Sequence, residues 1–349
     1  MMPYPWSALL LLAYLYAIVT LYVFSISHKG LRVLYSDKAC IITMAAALVM
    51  VLFFGFTAVS RGPVYYVVML SLTATMGLAL VSDIHHLRSR AAAPVMAHLG
   101  VFVVMVCGIF GYADKQTVKV TAFLDTPVSE GLSADGMSAD LPLMLTLKSF
   151  DIDRYPVRLE LAGPDGTAAS GESVTLEGGS LGSWRISVLR SFDMGVRMPG
   201  EEDWQEMRHI GAEPAAYVRA EGPDGSSVKG WVACGSFMFE PSVLSLPDGS
   251  VLHMREPAPR RFSSTVSVTD RRGHHMTGEL AVNHPMRLGS WRIYQAGYDT
   301  SRGRWSGVSI LQCVRDPWYP AICVGIWIIF ASALVMMATG GRSRKEGRP

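Results

Sequence analysis

One histidine of this 349-residue chain lies where a polar side chain is unexpected. His98 falls within the uncharged stretch between Arg90 and Asp114. Counted from Arg90 at 1.5 Å per helical residue, it lies about 12 Å inside a membrane-spanning helix. A neutral imidazole can bind haem iron through one ring nitrogen while the other nitrogen makes a hydrogen bond. Because an imidazole is costly at that depth, His98 is either such a ligand or is hydrogen-bonded to a neighbouring helix.

Two histidine pairs are weaker candidates for chemistry. His85 and His86 stand in a basic segment, where we expect them to be solvated or to contact lipid headgroups. His274 and His275 follow Arg271-Arg272-Gly273, a pattern typical of an exposed hairpin tip. Two histidines alone are too few for a metal site. We therefore expect no metal to bind apart from haem iron.

The five cysteines include no C-x-x-C pair, which argues against a thiol–disulfide oxidoreductase. Cys234 and Cys313 belong to the polar part of the chain, and whether they form a disulfide is left open because the sequence does not fix their separation. The chain also has no nucleotide-binding loop, H-E-x-x-H motif or nucleophile elbow. We assign no catalytic residue.

The elements that must position His98 are apolar stretches long enough to cross a membrane. A spanning helix needs about 20 apolar residues, and five segments qualify: 6–26, 39–60, 62–82, 92–112 and 317–341. Of the 60 charged residues, 47 lie in residues 114–316. The sequence predicts four spans within residues 1–113, a water-facing domain at 114–316, a closing span at 317–341 and a basic tail at 342–349. A fully soluble enzyme and a transporter with only short loops are both excluded.

Basic residues in the short connections predict the orientation of the spans. Nine of them fall on one side of the five alternating crossings: Lys29, Arg32, Lys38, Arg88, Arg90, Arg342, Arg344, Lys345 and Arg348. The short connections on the other side hold only Arg61. We therefore expect a bacterial inner-membrane protein whose C-terminus is cytoplasmic and whose N-terminus and large domain are periplasmic. That domain has 26 acidic and 21 basic residues, so we expect no nucleic-acid partner.

The large domain has the pattern of an all-β structure. Short runs of β-branched and aromatic residues alternate with turn signals, and Pro-Asp-Gly occurs at 164–166, 223–225 and 247–249. We expect an antiparallel sandwich or a pair of small sheets. Gly-Ser-Trp-Arg-Ile occurs at 182–186 and again at 289–293. This echo indicates either two equivalent strand starts with a buried tryptophan or a duplicated half-domain.

The C-terminal third carries a more specific pattern. Its segments are, in order, Met254-Arg255-Glu256-Pro257, Arg261-Phe262-Ser263-Ser264-Thr265-Val266, Val282-Asn283-His284-Pro285, Trp291-Arg292-Ile293-Tyr294-Gln295, Tyr298-Asp299 and Val314-Arg315-Asp316-Pro317. In this order the chain resembles the ResB (CcsB) family of cytochrome c biogenesis proteins over roughly residues 62–340. Four spans are predicted before the domain here, where three is the commoner arrangement in that family.

The resemblance implies a part in the system II route of cytochrome c maturation. There, ResB-type and CcsA-type membrane proteins together move haem outward and attach it to apocytochrome c. A membrane histidine before the outward domain is proposed as a haem ligand in that family, and His98 is the matching position. The chain is then a non-catalytic half of a haem-ligating complex. The alternative is a scaffold that stabilises the CcsA-type partner and docks apocytochrome c without binding haem.

The other motif positions are expected to have structural or docking roles: Asn283, His284, Pro285, Trp291, Tyr294, Gln295, Tyr298, Asp299, Arg315, Asp316 and Pro317. The aromatic residues Trp291, Tyr294 and Tyr298 either pack in the core or offer contact area to apocytochrome c. Asn283 and Asp299 are expected to close turns.

Overall fold

The computed structural model describes residues 3–57, 62–86, 92–163 and 168–346. The chain divides into two compact units. The helical unit is Met1–Gln116 with Val314–Pro349, and the β unit is Thr117–Cys313. In the described residues, four N-terminal helices and one C-terminal helix flank a large all-β domain, so the predicted fold class is confirmed.

Five helices of the described ranges are long and apolar enough to cross a membrane. They are α1 (Trp6–Ser27), α2 (Asp37–Phe56), α3 (Pro63–His85), α4 (Ala92–Gly111) and α5 (Tyr319–Glu346). Short 3₁₀ turns follow α1 at Lys29–Tyr35 and α4 at Tyr112–Asp114. The chain is therefore a multi-pass membrane protein.

Several helix boundaries differ from those expected, and α5 continues to Glu346, beyond the expected end at residue 341. α2 begins at Asp37 because the Ser36 hydroxyl accepts a hydrogen bond from the Ala39 backbone N–H and caps the helix. α3 continues to His85, beyond the expected end at residue 82, so Asp83 and His85 belong to a helix. Several expected loop features lie outside the described residues: residues 60–61 with Arg61, then Arg88 and Arg90, the turn at 164–166, and Arg348.

The Asp114 carboxylate links three helix ends of the helical unit by hydrogen bonds. Its Oδ2 accepts hydrogen bonds from Ser7 Oγ at 2.7 Å, near the start of α1, and from Trp318 Nε1 at 2.6 Å, just before α5. Its Oδ1 accepts a hydrogen bond from the Tyr4 backbone N–H. Because Asp114 ends the short 3₁₀ turn that follows α4, its carboxylate holds the ends of α1, α4 and α5 next to one another.

The described strands of the β unit form three sheets. The strands are β1 (Gln116–Phe123), β2 (Pro127–Ser133), β3 (Ser138–Arg154), β4 (Arg158–Ala162), β5 (Ala168–Thr175), β6 (Gly179–Leu181), β7 (Trp184–Arg197), β8 (Trp204–Glu206), β9 (Glu213–Glu221), β10 (Ser227–Ala233), β11 (Leu244–Ser245), β12 (Val251–Arg255), β13 (Pro259–Asp270), β14 (His275–Ala281), β15 (Met286–Leu288), β16 (Trp291–Tyr298) and β17 (Val308–Arg315). The eight-stranded sheet has the order β14-β13-β3-β2-β1-β17-β16-β15. A five-stranded sheet joins β10-β9-β7-β6 with β8 on β7, and a four-stranded sheet joins β11-β12-β4-β5. This is more than the single sandwich or pair of small sheets expected.

Two large hydrophobic cores divide the β unit into halves. The first core takes the alternate residues Leu143, Leu145 and Leu147 of β3 together with Ile293 of β16. Because β14 also contacts β15 and β16, the eight-stranded sheet curls around this core. The second core lies between the other two sheets and includes Leu252 of β12.

The repeated Gly-Ser-Trp-Arg-Ile segment has the same local structure in both halves. Gly182 and Gly289 have φ of +55° and +58° and open the two-residue turns β6–β7 and β15–β16. Glycine suits the first position of such a hairpin turn because it adopts positive φ without strain. Trp184 is buried in the second core and Trp291 in the first. The two copies are equivalent strand starts, each with a buried tryptophan.

The cysteines Cys234 and Cys313 do not form a disulfide. All five cysteines lie in the described ranges and are free thiols. Cys313 belongs to the first core, and Cys234 packs against the second. Burial raises the pKa of each thiol to about 12, so both stay protonated and unreactive at neutral pH.

The halves of the β unit are joined by a buried ion pair. Arg154, at the end of β3, donates from Nη1 to Glu213 Oε2 at 2.6 Å, at the start of β9. The two side chains are only 12% and 10% exposed. Burial raises the pKa of the Glu213 carboxyl, while the bond to Arg154 opposes that rise. The stability of this region therefore depends on both partners, because either charge alone would be buried without an opposite charge.

Replacing Glu213 alone is expected to destabilise the full-length protein strongly. Glu213→Leu leaves a buried guanidinium uncompensated, which costs about 3–5 kcal/mol in the free energy of unfolding. The double variant Arg154→Met, Glu213→Leu removes both charges and is expected to recover most of that loss. Thermal unfolding of the detergent-solubilised protein measures both effects. A single variant as stable as wild type, or a double variant no better than the single one, would contradict this account.

Candidate functional site

His98 is the seventh residue of α4, about 9 Å along the helix axis from its first residue. Its side chain is 52% exposed and lines a cavity within the helical unit. The imidazole Nδ1 lies 3.4 Å from Oδ2 of Asp83 on α3. Of the two readings left open by the sequence, this contact shows that His98 does have a polar partner on a neighbouring helix.

Asp83 is a residue of this site that the sequence analysis missed. It was treated as the charge that ends the third span, but α3 continues past it and its side chain is only 9% exposed. The spacing of the two residues in the sequence could have indicated their contact. Asp83 precedes His98 by 15 residues across a short connection, so two antiparallel helices bring both residues to the same end.

The contact between Asp83 and His98 determines which imidazole nitrogen is available. An imidazole protonated at Nδ1 donates that proton to the carboxylate and keeps the lone pair on Nε2. Histidines that bind metals commonly donate their other ring nitrogen to a carboxylate in this way. The pair is therefore chemically suited to present Nε2 as a ligand.

The cavity beside His98 has a volume of about 990 Å³, at the upper end of the range for small-molecule sites. Its walls come from α2, α3, α4 and the 3₁₀ turn before α2. The apolar lining includes Ile41, Met44, Leu48, Met69, Leu72, Met76, Val101 and Met105, and the polar lining includes Arg32, Tyr35, Ser36, Asp37, Cys40, Asp83 and His98. The start of α2, the end of α3 and the start of α4 supply most of the polar groups. The space is thus apolar along the helices and polar at one end.

Among the described residues, no three histidine, cysteine, aspartate or glutamate side chains are grouped closely enough to hold a metal ion. A metal at His98 would need its remaining ligands from the molecule that carries it. The porphyrin of haem supplies four nitrogen ligands to its iron, so one axial imidazole is enough to attach it to a protein. The residues present therefore fit haem better than a free metal ion.

His85 lies at the end of α3, where its Nδ1 is 2.9 Å from the Tyr22 hydroxyl of α1. The side chain is exposed, in line with the expected solvation, but His85 belongs to the end of a helix and not to a loop. His274 is in the turn between β13 and β14, where its Nδ1 lies 2.8 Å from Asp270 Oδ2.

The motif positions of β16 are either buried in the β unit or half-buried at its surface. Trp291 is buried in the first core, which decides between the two readings for this residue. Gln295 is also buried and donates to Ser309 Oγ at 2.8 Å. Tyr294 is half-buried on the same strand. Tyr298 is half-buried against Phe150 and Phe262, with ring centroids 5.1 and 5.0 Å away.

The remaining motif positions lie in turns and at a helix start. Asn283 has a φ of +65° in the turn after β14, next to the exposed His284 and the half-buried Pro285. Asp299 accepts hydrogen bonds from the backbone N–H and hydroxyl of Ser301, which lower the pKa of its carboxyl. Asp316 Oδ1 accepts from the backbone N–H groups of two following residues and caps α5, between exposed Arg315 and Pro317. Asn283 to Asp299 lie in the β unit, whereas Arg315, Asp316 and Pro317 belong to the helical unit that also contains His98.

A comparison with family models gives a match within the β unit. Residues 225–311 match the ResB-like family. The match runs from the turn before β10 into β17 and contains the motif positions from Asn283 to Asp299. It confirms the resemblance over this stretch. No curated protein matches the chain.

The position of α4, and with it His98, depends on close packing against α5. A Cβ at Gly100 would lie 2.6 Å from Ile329 Cγ1 and 2.7 Å from the backbone oxygen of Gly325. Ser332 Oγ donates to the Ala93 backbone oxygen at 2.6 Å across the same interface. Small residues at such contacts are what allow membrane helices to approach closely.

Gly100→Ala is expected to lower the stability of the full-length protein by about 1–3 kcal/mol, because the added methyl meets backbone atoms of α5. Gly108→Ala on the same helix is the matched control, since nothing lies within 4 Å of its added Cβ. Thermal unfolding in detergent compares the two variants. Equal melting temperatures for both would rule out the tight α4–α5 contact.

Proposed function

We propose that this protein binds haem within the membrane during cytochrome c biogenesis, with His98 as an axial ligand of the iron. It acts with a CcsA-type membrane partner in the bacterial inner membrane, in the system II route. The β unit faces the periplasm and supports attachment of the haem to apocytochrome c. The chain itself supplies no catalytic residue to that step.

One observation carries this proposal: a histidine held by a carboxylate at the edge of a large, mostly apolar cavity inside the helical unit. The His98 side chain is half exposed and lines that cavity, although it lies in an apolar helix. An ionisable residue in a membrane span is costly and is a functional candidate for that reason. The ResB-like match in the β unit supports the same pathway independently of His98.

The chemistry of haem suits the cavity. Haem is a flat, largely apolar molecule with two propionates at one edge, and its iron accepts a neutral imidazole nitrogen. The apolar walls from α2, α3 and α4 would shield the macrocycle from lipid. The polar end, where Arg32 lies, would receive the propionates. His98 Nε2 would bind the iron because Nδ1 is directed to Asp83.

A scaffold without bound haem is the second candidate. The burial of Trp291 and Gln295 favours it, because these two motif residues build the fold of the β unit. Such a protein would still stabilise its partner and dock apocytochrome c. The two candidates differ in the consequence of removing the imidazole.

His98→Ala is expected to lose bound haem. The expected loss of affinity is at least the roughly 10–100-fold that follows removal of a residue hydrogen-bonded to a metal ligand. His28→Ala is the matched control, since that imidazole is exposed at the end of α1 and contacts only its own helix backbone among the described polar contacts. The measurements are the absorption spectrum of the protein purified from membranes and the covalent haem staining of c-type cytochromes in the same cells.

The two candidate functions give different results. With haem binding, both the haem absorption and the stained cytochromes fall in His98→Ala and persist in His28→Ala. Wild-type haem content and wild-type cytochromes in His98→Ala would reject the haem-binding proposal in favour of the scaffold.

A further inference from the structure

Asp83 places a carboxylate in a membrane-spanning helix, where a charged group costs free energy. It lies in the last turn of α3, and its side chain is only 9% exposed. Translocon measurements place the cost of an aspartate near the centre of a span at about 2.5–3.5 kcal/mol, and the cost decreases toward the interface. A small polar or apolar residue would serve the packing of α3 at lower cost. The carboxylate therefore requires polar contacts that offset this cost.

The contact to His98 supplies one. The carboxylate Oδ2 approaches Nδ1 of His98 at 3.4 Å, and both side chains line the same cavity. The two residues come from different helices, so their meeting depends on the antiparallel arrangement of α3 and α4. The imidazole is the half-exposed member of the pair and the carboxylate is the buried one. Both side chains thus border the cavity, and the imidazole is the more accessible of the two.

We infer that Asp83 is a positioning residue that fixes the orientation and tautomer of His98 and makes its Nε2 a stronger donor to iron. This inference rests on the proposed function. A hydrogen bond from Nδ1 to the carboxylate holds the ring plane and retains the proton on Nδ1. The negative charge also draws that proton toward itself, so more electron density is available at Nε2. A stronger donor stabilises ferric over ferrous haem iron, and this lowers the reduction potential of the bound haem.

Charge and geometry can be separated by two substitutions. Asp83→Asn retains a side-chain oxygen that can accept from Nδ1, at nearly the same size, but has no charge. Asp83→Glu keeps the charge on a longer side chain. Asp37→Asn is the matched control for loss of one negative charge, because Asp37 lies in the first turn of α2 on the same cavity.

The experiment titrates full-length protein in detergent with ferric haemin and measures affinity, absorption spectrum and reduction potential. Asp83→Asn is expected to bind haemin with a reduction potential more positive than that of wild type. It is also expected to bind with about 10-fold or greater loss of affinity. Asp83→Glu is expected to lie closer to wild type than Asp83→Asn in potential, and Asp37→Asn is expected to give a smaller shift than Asp83→Asn. A residue that only packs α3 would change the melting temperature without moving the potential of the haem that remains bound.

Failure of this inference is distinguishable from failure of the proposed function. If His98→Ala loses haemin while Asp83→Asn keeps the wild-type potential and affinity, Asp83 does not position His98 but haem binding stands. If Asp37→Asn shifts the potential as much as Asp83→Asn, the effect is one of general charge and the inference is overturned. If His98→Ala binds haemin with the wild-type spectrum, the proposed function fails together with the inference.

Discussion

Lipid offers no hydrogen bonds, so each polar side chain placed within a membrane span must find its partner inside the protein. In this chain the imidazole of His98 and the carboxylate of Asp83 meet that requirement for each other, at 3.4 Å. The rest of the helical unit makes their meeting possible. α3 and α4 run in opposite directions, Gly100 lets α5 lie close against α4, and Asp114 holds the far ends of three helices together. A large cavity lies beside the pair and is accessible to the imidazole.

The cores of the β unit are formed by sheets: one is enclosed by the curled eight-stranded sheet, and the other lies between the two smaller sheets. Each half closes around its own core and places a tryptophan after a glycine-opened turn. The junction between halves is polar, with Arg154 and Glu213 buried against each other. The family motif of residues 225–311 is used mainly to build this fold, with Trp291 in a core and Gln295 bonded to Ser309.

Patterns with strong local causes were predictable from the sequence. Uncharged stretches of about 20 residues predicted the five helices, and glycine turns with alternating apolar residues predicted an all-β domain. Two features were not predictable. The eight-stranded sheet pairs β1 with β17, and no local signal links residues so far apart. Asp83 was read as the end of a span because charge normally marks the interface, whereas its burial depends on the neighbouring helix that carries His98. The candidate ligand was therefore found from sequence, and its partner was found from structure.

The central claim is that the His98 imidazole binds haem iron and attaches the haem to this protein. Replacing that side chain by glycine and then supplying free imidazole tests it directly, because the small molecule can enter the space left by the ring. The account predicts that the His98→Gly protein has little haem absorption until imidazole is added, and that the absorption of imidazole-ligated haem then returns in proportion to the imidazole bound. Wild-type haem absorption in His98→Gly without any imidazole would contradict it.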